Sequence, residues 1–372
     1  MAYLCEKYRN EKYRNMENPF KFGTIVDNEY FTDRVDEQIH VKAVLNSPNH
    51  LVLISPRRFG KSNLVRKSAH QTGRPVISLN MQQITSAEEL ASMVLKGVFK
   101  LHPWEKIKHM LANFRIIPTI SVSPVGDAVE VGFHPSANYA TLLEDAFALV
   151  ENASEEDNRI IVIFDEFQEI MEMEDGLDNK LRAILQEQEK VNYVFMGSEE
   201  SMMSKIFEDK KSPFYHFGLL MRLKKIPYQD FKDYVCERLS PALGESAEMV
   251  AVELLEFTRC HPYYTQQLAS MVWESAIYRG INSGSIIKHS VDTIMQTHDL
   301  DYERMWMSVN KTDRKVLRLI SKGMPLYEDK KIPSSTIYSS IKKLLKKGLL
   351  IKQENYEVED PFFQRWINIQ NS

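Results

Sequence analysis

Cysteine is scarce. The chain has three, Cys5, Cys236 and Cys260, an odd number with no CxxC spacing, which excludes a disulfide framework and a cysteine-based zinc site. Long hydrophobic runs are absent too: Ile160 to Phe164 is among the longest, far short of the ~20 residues that cross a bilayer. The first residues are charged rather than signal-like, so a cytoplasmic protein without membrane contact is expected. No Gly/Ser-rich or Pro-rich tract argues for a long disordered arm. Strong charge of one sign is missing as well, since 47 Lys and Arg against 51 Asp and Glu leave a net charge of -4. That balance excludes a protein coated in nucleic-acid-binding surface, and it leaves room for one local basic patch.

What is present is an ordinary globular composition, 43% hydrophobic and 26% charged over 372 residues, longer than one core of roughly 250–300 residues sustains. Two or three domains follow. Glu6–Asn15 holds EKYRN twice in succession, a local duplication too short to be a solenoid repeat.

Along the chain, residues 34–45 read as an amphipathic helix with Val35, Ile39 and Ala43 toward a core, and His50–Ile54 reads as a short buried strand. The strand breaks at Ser55-Pro56, and a helical pattern resumes at Ser62. Pro75–Leu79 is a second strand, and residues 86–99 form a helix opened by Ser86 with Glu89 at capping-box spacing. Residues 118–133 alternate about a Val125-Gly126-Asp127 turn, which predicts an inserted β-hairpin. A helix over 140–151, an apolar strand over 159–164, a helix over 176–190 and a strand over 192–196 complete the alternation. That order predicts a doubly wound, mainly parallel α/β sheet. Near Ile226-Pro227 the pattern turns almost wholly helical as far as Thr297. After Asp313 it becomes a helix over 312–322, a second over 334–347 and a two-strand wing over 349–358, the order of a winged helix. The expected domains are 1–227, 228–301 and 302–372.

The chemistry begins at Ser55-Pro56-Arg57-Arg58-Phe59-Gly60-Lys61-Ser62, which fits the phosphate loop GxxxxGK[ST] at every defining position but the first. Such a loop wraps phosphates with successive backbone N–H groups and presents the positive end of the helix that carries Ser62 and Asn63. Lys61 reaches the β and γ oxygens, Ser62 ligates magnesium, and Gly60 allows close backbone approach. Serine at position 55 would cost about 1–2 kcal/mol if its backbone were left-handed, and is tolerated with negative φ. Arg57 and Arg58, inside the loop, suit phosphate or a neighbouring acid.

About a hundred residues later, Ile160–Phe164 ends in Asp165-Glu166, a Walker B pattern. Asp165 is expected to hold the magnesium shell and Glu166 to polarise an attacking water. Ser198, at the tip of the next strand, places a hydroxyl where the γ-phosphate or that water would lie, although a helix cap would look the same. His261-Pro262 follows a helix end, where a lid could meet the nucleotide.

Taken together, Phe31–Arg34, Pro56–Ser62, Ile163–Gln168, Gly197-Ser198, His261–Tyr264 and Asp360–Trp366 resemble the archaeal-type ATPases of the STAND group, relatives of AAA+ proteins and of archaeal origin-recognition initiators. The likeness runs nearly end to end. It implies an ASCE-type P-loop NTPase domain, an all-α lid bearing the His-Pro motif and a C-terminal winged helix, acting as an ATP-dependent switch with ATP or ADP and Mg2+ bound. Two positions depart from that pattern: Ser55 replaces the usual glycine, and residues 213–216, Pro-Phe-Tyr-His, stand where many relatives carry an arginine, leaving Arg222 as a substitute.

In the last module, Lys342, Lys343, Lys346 and Lys347 make the second helix basic, as a DNA reader would be, and equally as a helix C-terminus favours. The helix offers mainly Ser, Thr, Tyr and Lys, and Glu354, Glu357, Glu359 and Asp360 flank the wing. Intramolecular packing or a protein partner therefore suits the module at least as well as DNA. The expected activity is slow, Mg-dependent ATP hydrolysis driving a molecular switch. The alternative is a nucleotide-binding regulator or DNA-binding adaptor with negligible hydrolysis.

Overall fold

The computed structural model describes residues 17–23, 34–111, 114–116, 118–122, 129–133, 138–327 and 333–370. The Glu6–Asn15 duplication, Cys5, residues 31–33 of the first family string and the 125–127 turn lie outside them. Two compact units are present. One comprises Arg34–Ser55 and Lys61–Leu223; the other comprises Pro56–Gly60 and Lys224–Ser372 with the described part of Met1–Asp33.

The first unit is built on five parallel strands: β1 (Leu51–Ile54), β2 (Val76–Asn80), β5 (Ile160–Asp165), β6 (Val191–Gly197) and β7 (Leu219–Arg222). Their order is β2-β5-β6-β1-β7, so one strand separates β1 from β5. β1 and β6 are buried on both faces, as is β5 up to its last residue, which explains why they read as continuous apolar runs. The helices are α1 (Val35–Leu45), α2 (Lys61–His70), α3 (Ala87–Leu101), α4 (Trp104–Leu111), α5 (Tyr139–Ala153), α6 (Leu177–Leu185) and α7 (Glu200–Glu208). A separate antiparallel hairpin pairs β3 (Thr119–Val122) with β4 (Val129–Gly132). The core holds an aromatic cluster in which the Phe164 and Phe195 rings stack at 5.4 Å and Phe167, Phe207 and Phe214 pack around Phe195.

Several local expectations are corrected. On α1, Val35 and Ile39 are 53% and 62% exposed and Ala43 is exposed; the buried positions are Val41, Val44 and Leu45. The helix packs by its last turn, while buried Arg34 precedes it and pairs with Glu37 at 2.9 Å. Ser86 does cap α3 by accepting from the Glu89 N–H at 3.2 Å, but the Glu89 carboxylate accepts from Thr85 N at 2.7 Å rather than from Ser86. Helix α6 stops at Leu185 instead of reaching 190, because the Glu189 and Lys190 amides turn to donate to Glu151 Oε1 at 3.2 and 3.1 Å. Strand β7 is an addition. Its Leu219 and Leu220 are exposed, so no apolar pattern betrays it, yet Leu219 N donates to His50 O at 2.8 Å and Leu223 N to Ile54 O at 2.9 Å.

The second unit is helical: α8 (Tyr228–Leu243), α9 (Ala247–Thr258), α10 (Pro262–Tyr278), α11 (Ser283–Thr297), α12 (Asp299–Met307), α13 (Lys311–Ser321), α14 (Ser334–Lys346) and α15 (Pro361–Ile369). Between the last two runs an antiparallel ribbon, β8 (Leu350–Lys352) with β9 (Tyr356–Val358). Their buried side chains form one continuous cluster from Ile226 to Ile367, joined by Phe20. Helix α13 begins one residue earlier than expected, because Asn310 is its cap and accepts from Asp313 N at 2.8 Å. Helix α12, not anticipated, docks through Tyr302 and Trp306, and α15 starts where Asp360 accepts from Phe362 N at 2.7 Å and Phe363 N at 3.1 Å. No helix among the described residues is long and apolar enough to cross a membrane.

Candidate nucleotide site

Strand register brings the chemistry together. Ile54 stands opposite Gly197, and Phe164 opposite Phe195, so the chain leaves β1, β5 and β6 at the same sheet edge, carrying Ser55, Asp165-Glu166 and Ser198. The carboxyl ends of parallel strands are where such sheets place ligands.

Lys61 opens α2, is almost fully buried and meets Glu166 Oε1 at 2.8 Å. One residue on, Ser62 Oγ donates to Asp165 Oδ2 at 2.8 Å. The other Glu166 oxygen, Oε2, accepts from Ser198 Oγ at 2.6 Å, Ser198 N at 3.0 Å and Gln168 Nε2 at 2.8 Å. Burial disfavours the Glu166 carboxylate, but the Lys61 charge and the hydrogen bonds from Lys61, Ser198 and Gln168 outweigh it and hold the carboxyl down at about 2. Glu166 has φ of 55°, left-handed for a residue with a side chain, a conformation costing about 1–3 kcal/mol that its surroundings must enforce. The turn aims its carboxylate at Lys61 and Ser198 instead of continuing along the strand.

Lys61, Ser62, Asp165, Glu166 and Ser198 thus form one constellation. Ser62 and Asp165 offer hard oxygen ligands side by side, and because magnesium keeps several waters and takes few protein ligands, this pair fits it. Among the described residues no group of three or more His, Cys, Asp or Glu forms an alternative metal cluster.

The loop residues behave differently. Ser55 is buried, donates from its N to Gly197 O at 3.3 Å and is not among the residues with positive φ. The left-handed positions are Arg58 at 64° and Gly60 at 86°, so the strain foreseen for Ser55 falls at Arg58. A Cβ built on Gly60 would meet nothing within 4 Å, so only its conformation requires glycine there. Pro56 is buried, Arg57 exposed, and Asn63 half-buried on the first turn of α2. Within the second unit, Arg58 Nη1 donates to Tyr264 Oη at 3.2 Å and its guanidinium lies 4.4 Å from the Tyr263 ring centre. Phe59 meets His261 edge to face at 5.0 Å. His261, with Pro262 opening α10, is buried, and burial lowers its basicity despite Glu359 Oε1 at 3.4 Å. Tyr264 donates to Glu359 Oε2 at 2.6 Å; burial, then the acids at 360 and 359, raise its phenol well above the usual range and keep it protonated.

Arg222, the residue considered in place of the missing arginine, closes β7 and bonds Ser204 at 3.0 Å and the Glu208 carboxylate. Gln168, Tyr264 and Glu359 are functional candidates beyond those expected. The first two stood in the Asp-Glu-Phe-Gln and His-Pro-Tyr-Tyr strings, while Glu359 stood only among the acids flanking the wing, with no sign of a tie to Tyr264.

No protein-family model matches this sequence, and no curated protein matches it. Among solved structures, it is similar to a Walker-type ATPase of Pyrococcus abyssi at 20% identity, with 92% of this chain and 97% of that one covered and a TM-score of 0.64. It is also similar to the ORC2 protein of Aeropyrum pernix in ADPNP-ADP complexes, at 16% identity, 95% and 97% coverage and a TM-score of 0.53. The fold is that of the ORC-like P-loop ATPases: a five-stranded parallel sheet flanked by helices, followed by a helical C-terminal region.

Proposed function

We propose that the chain binds ATP and ADP with Mg2+ and works as a slow ATPase whose nucleotide state sets the posture of a C-terminal lid, 228–301, and winged helix, 302–372. The observation that carries this reading is the meeting of Lys61 with Glu166 and of Ser62 with Asp165, each at 2.8 Å, from two sequence motifs about a hundred residues apart. Bound magnesium supplies charge that offsets the phosphate oxygens; Ser62 and Asp165 are the residues that would hold it. Lys61 binds the substrate's β and γ phosphates, and in doing so leaves Glu166 Oε1 to accept a hydrogen bond from the attacking water. Ser198 and Gln168 hold Oε2 meanwhile and keep the carboxylate oriented. Before substrate arrives, the Lys61 charge holds this carboxyl at about 2 and keeps it ionised and engaged, so the base must be released from Lys61 before it can act.

The same observation favours a second reading, retention of nucleotide without hydrolysis, because every Glu166 oxygen is engaged. Phosphate release by wild type and by Glu166→Gln separates the two. The ATPase reading expects a loss of at least about 100-fold in the variant; equal, background-level release in both leaves only binding. The winged-helix assignment for residues 302–372 rests on the order α13, α14, β8, β9. A protein partner is the preferred ligand of that module, since Lys343 Nζ pairs with buried Asp313 at 2.8 Å and Lys347 Nζ donates to Ser308 O at 2.9 Å, so two of its four lysines serve the fold.

A further inference from the structure

We infer that Arg58 reports nucleotide occupancy to the β8–β9 ribbon through a hydrogen-bonded relay, Arg58 to Tyr264 to Glu359, an inference that rests on the nucleotide-binding reading above. Arg58 stands three residues before Lys61, so a rearrangement of the loop around phosphate acts on its backbone directly. That backbone is left-handed, a conformation a side chain rarely adopts, and the guanidinium is held at its far end by a ring face and a phenol. The loop and the relay are therefore mechanically joined at one residue.

The polarity of the relay is fixed by chemistry. The guanidinium can only donate, the carboxylate only accept, and the single phenolic proton goes to Glu359 at 2.6 Å while a phenol lone pair receives Arg58 Nη1 at 3.2 Å. A cation, a hydroxyl and an anion in series strengthen one another, so loosening either end weakens the other. The neutral His261 ring packs beside the second oxygen, its Nε2 3.4 Å away without a hydrogen bond to it.

From Glu359 the connection to the ribbon is short. Glu359 follows β9 directly, and its N donates to Leu349 O at 3.1 Å, beside the start of β8. Arg259 Nη2 donates to Val358 O at 2.8 Å, and Lys225 Nζ meets Glu357 Oε2 at 2.7 Å, so the last two ribbon residues and Glu359 after them are gripped. Arg259 and Cys260 have φ of 52° and 56°, a strained pair at the turn that delivers both Arg259 and His261 to the ribbon. Two left-handed non-glycine residues in sequence are an expensive way to end a helix that only needed to stop. Their use here fits a turn whose task is to place side chains.

Hydrogen exchange of the full chain, read at the amides of residues 350–360 with and without Mg-ADP or Mg-ATP, tests the relay. Tyr264→Phe keeps the ring and removes both hydroxyl bonds, Glu359→Gln removes the charge, and Tyr263→Phe keeps the ring face beneath Arg58. In wild type and Tyr263→Phe, nucleotide is expected to change ribbon exchange; in Tyr264→Phe and Glu359→Gln, which still bind nucleotide by titration, that change is lost. Wild type that binds nucleotide with no change at 350–360 overturns the relay, as does a full change retained in both relay variants. Wild type that binds no nucleotide overturns the underlying reading instead, and the relay with it. If Tyr264→Phe fails to fold, Glu359→Gln alone decides.

Discussion

The Lys61–Glu166 pair makes a prediction about acid stability that a single substitution isolates from the other carboxylates. In the folded protein Glu166 ionises at about 2, against 4.5 for an ordinary glutamate. The folded value is the lower one, so the contribution is fully present above pH 4.5 and is lost as the pH falls toward 2. Converted, the difference amounts to roughly 3 kcal/mol. Glu166→Gln removes the charge and leaves Lys61 buried without its anion, while Ser198 and Gln168 still have an acceptor, so the loss near pH 7 falls at roughly 3 kcal/mol rather than above it. Urea unfolding of wild type and variant, followed by circular dichroism from pH 7 to pH 2.5, gives the difference at each pH. Titration of the many carboxylates common to both proteins cancels in that difference. The gap is expected to be constant above pH 5 and to shrink below pH 4.5. A gap that is absent at pH 7, or that stays the same down to pH 2.5, refutes the reasoning.

Gly197→Ala would set a Cβ 2.4 Å from Met203 Cγ and Sδ and 2.5 Å from Gln168 Oε1. It should lower the unfolding free energy by about 1–3 kcal/mol and, by displacing the amide that holds Glu166, slow phosphate release; unchanged values for both would show that the pocket yields freely. Asn310→Ala removes the cap of α13 and should cost about 1 kcal/mol in the same denaturation assay. Because Lys343 and Lys347 are engaged within the fold, the mobility of duplex DNA should not shift at low salt; a salt-sensitive shift that weakens in Lys342→Ala and Lys346→Ala would assign the helix to DNA instead.

How much of this was legible in the sequence depended on the range over which each feature is determined. β5 announced itself because both faces are buried, so burial alone dictates Ile160–Phe164. The phosphate loop and the Asp165-Glu166 pair were equally plain, since their chemistry demands particular residue types at close spacing. Edge strand β7 was not, because Leu219 and Leu220 face outward and only pairing with β1 makes them a strand. Apolar spacing misassigned the face of α1, where Val35 and Ile39 are exposed and the helix packs by Val41, Val44 and Leu45. Gln168 could be quoted as part of a string without its role being visible. Its bond to Glu166, two residues away, exists only because the chain turns left-handed there and enters a tight helical turn. The partnership of Tyr264 with Glu359 spans 95 residues and follows from tertiary packing, which local patterns do not encode.

The proposed function stands on Lys61 and Ser62 binding the phosphates and magnesium of ATP. Calorimetric titration of the full chain with Mg-ATP tests it most directly. Wild type is expected to bind, and Lys61→Ala to lose roughly 10–100-fold in affinity, the worth of one charge-assisted contact of about 1.5–3 kcal/mol. Failure of wild type to bind Mg-ATP, or equal binding by Lys61→Ala, would contradict the account.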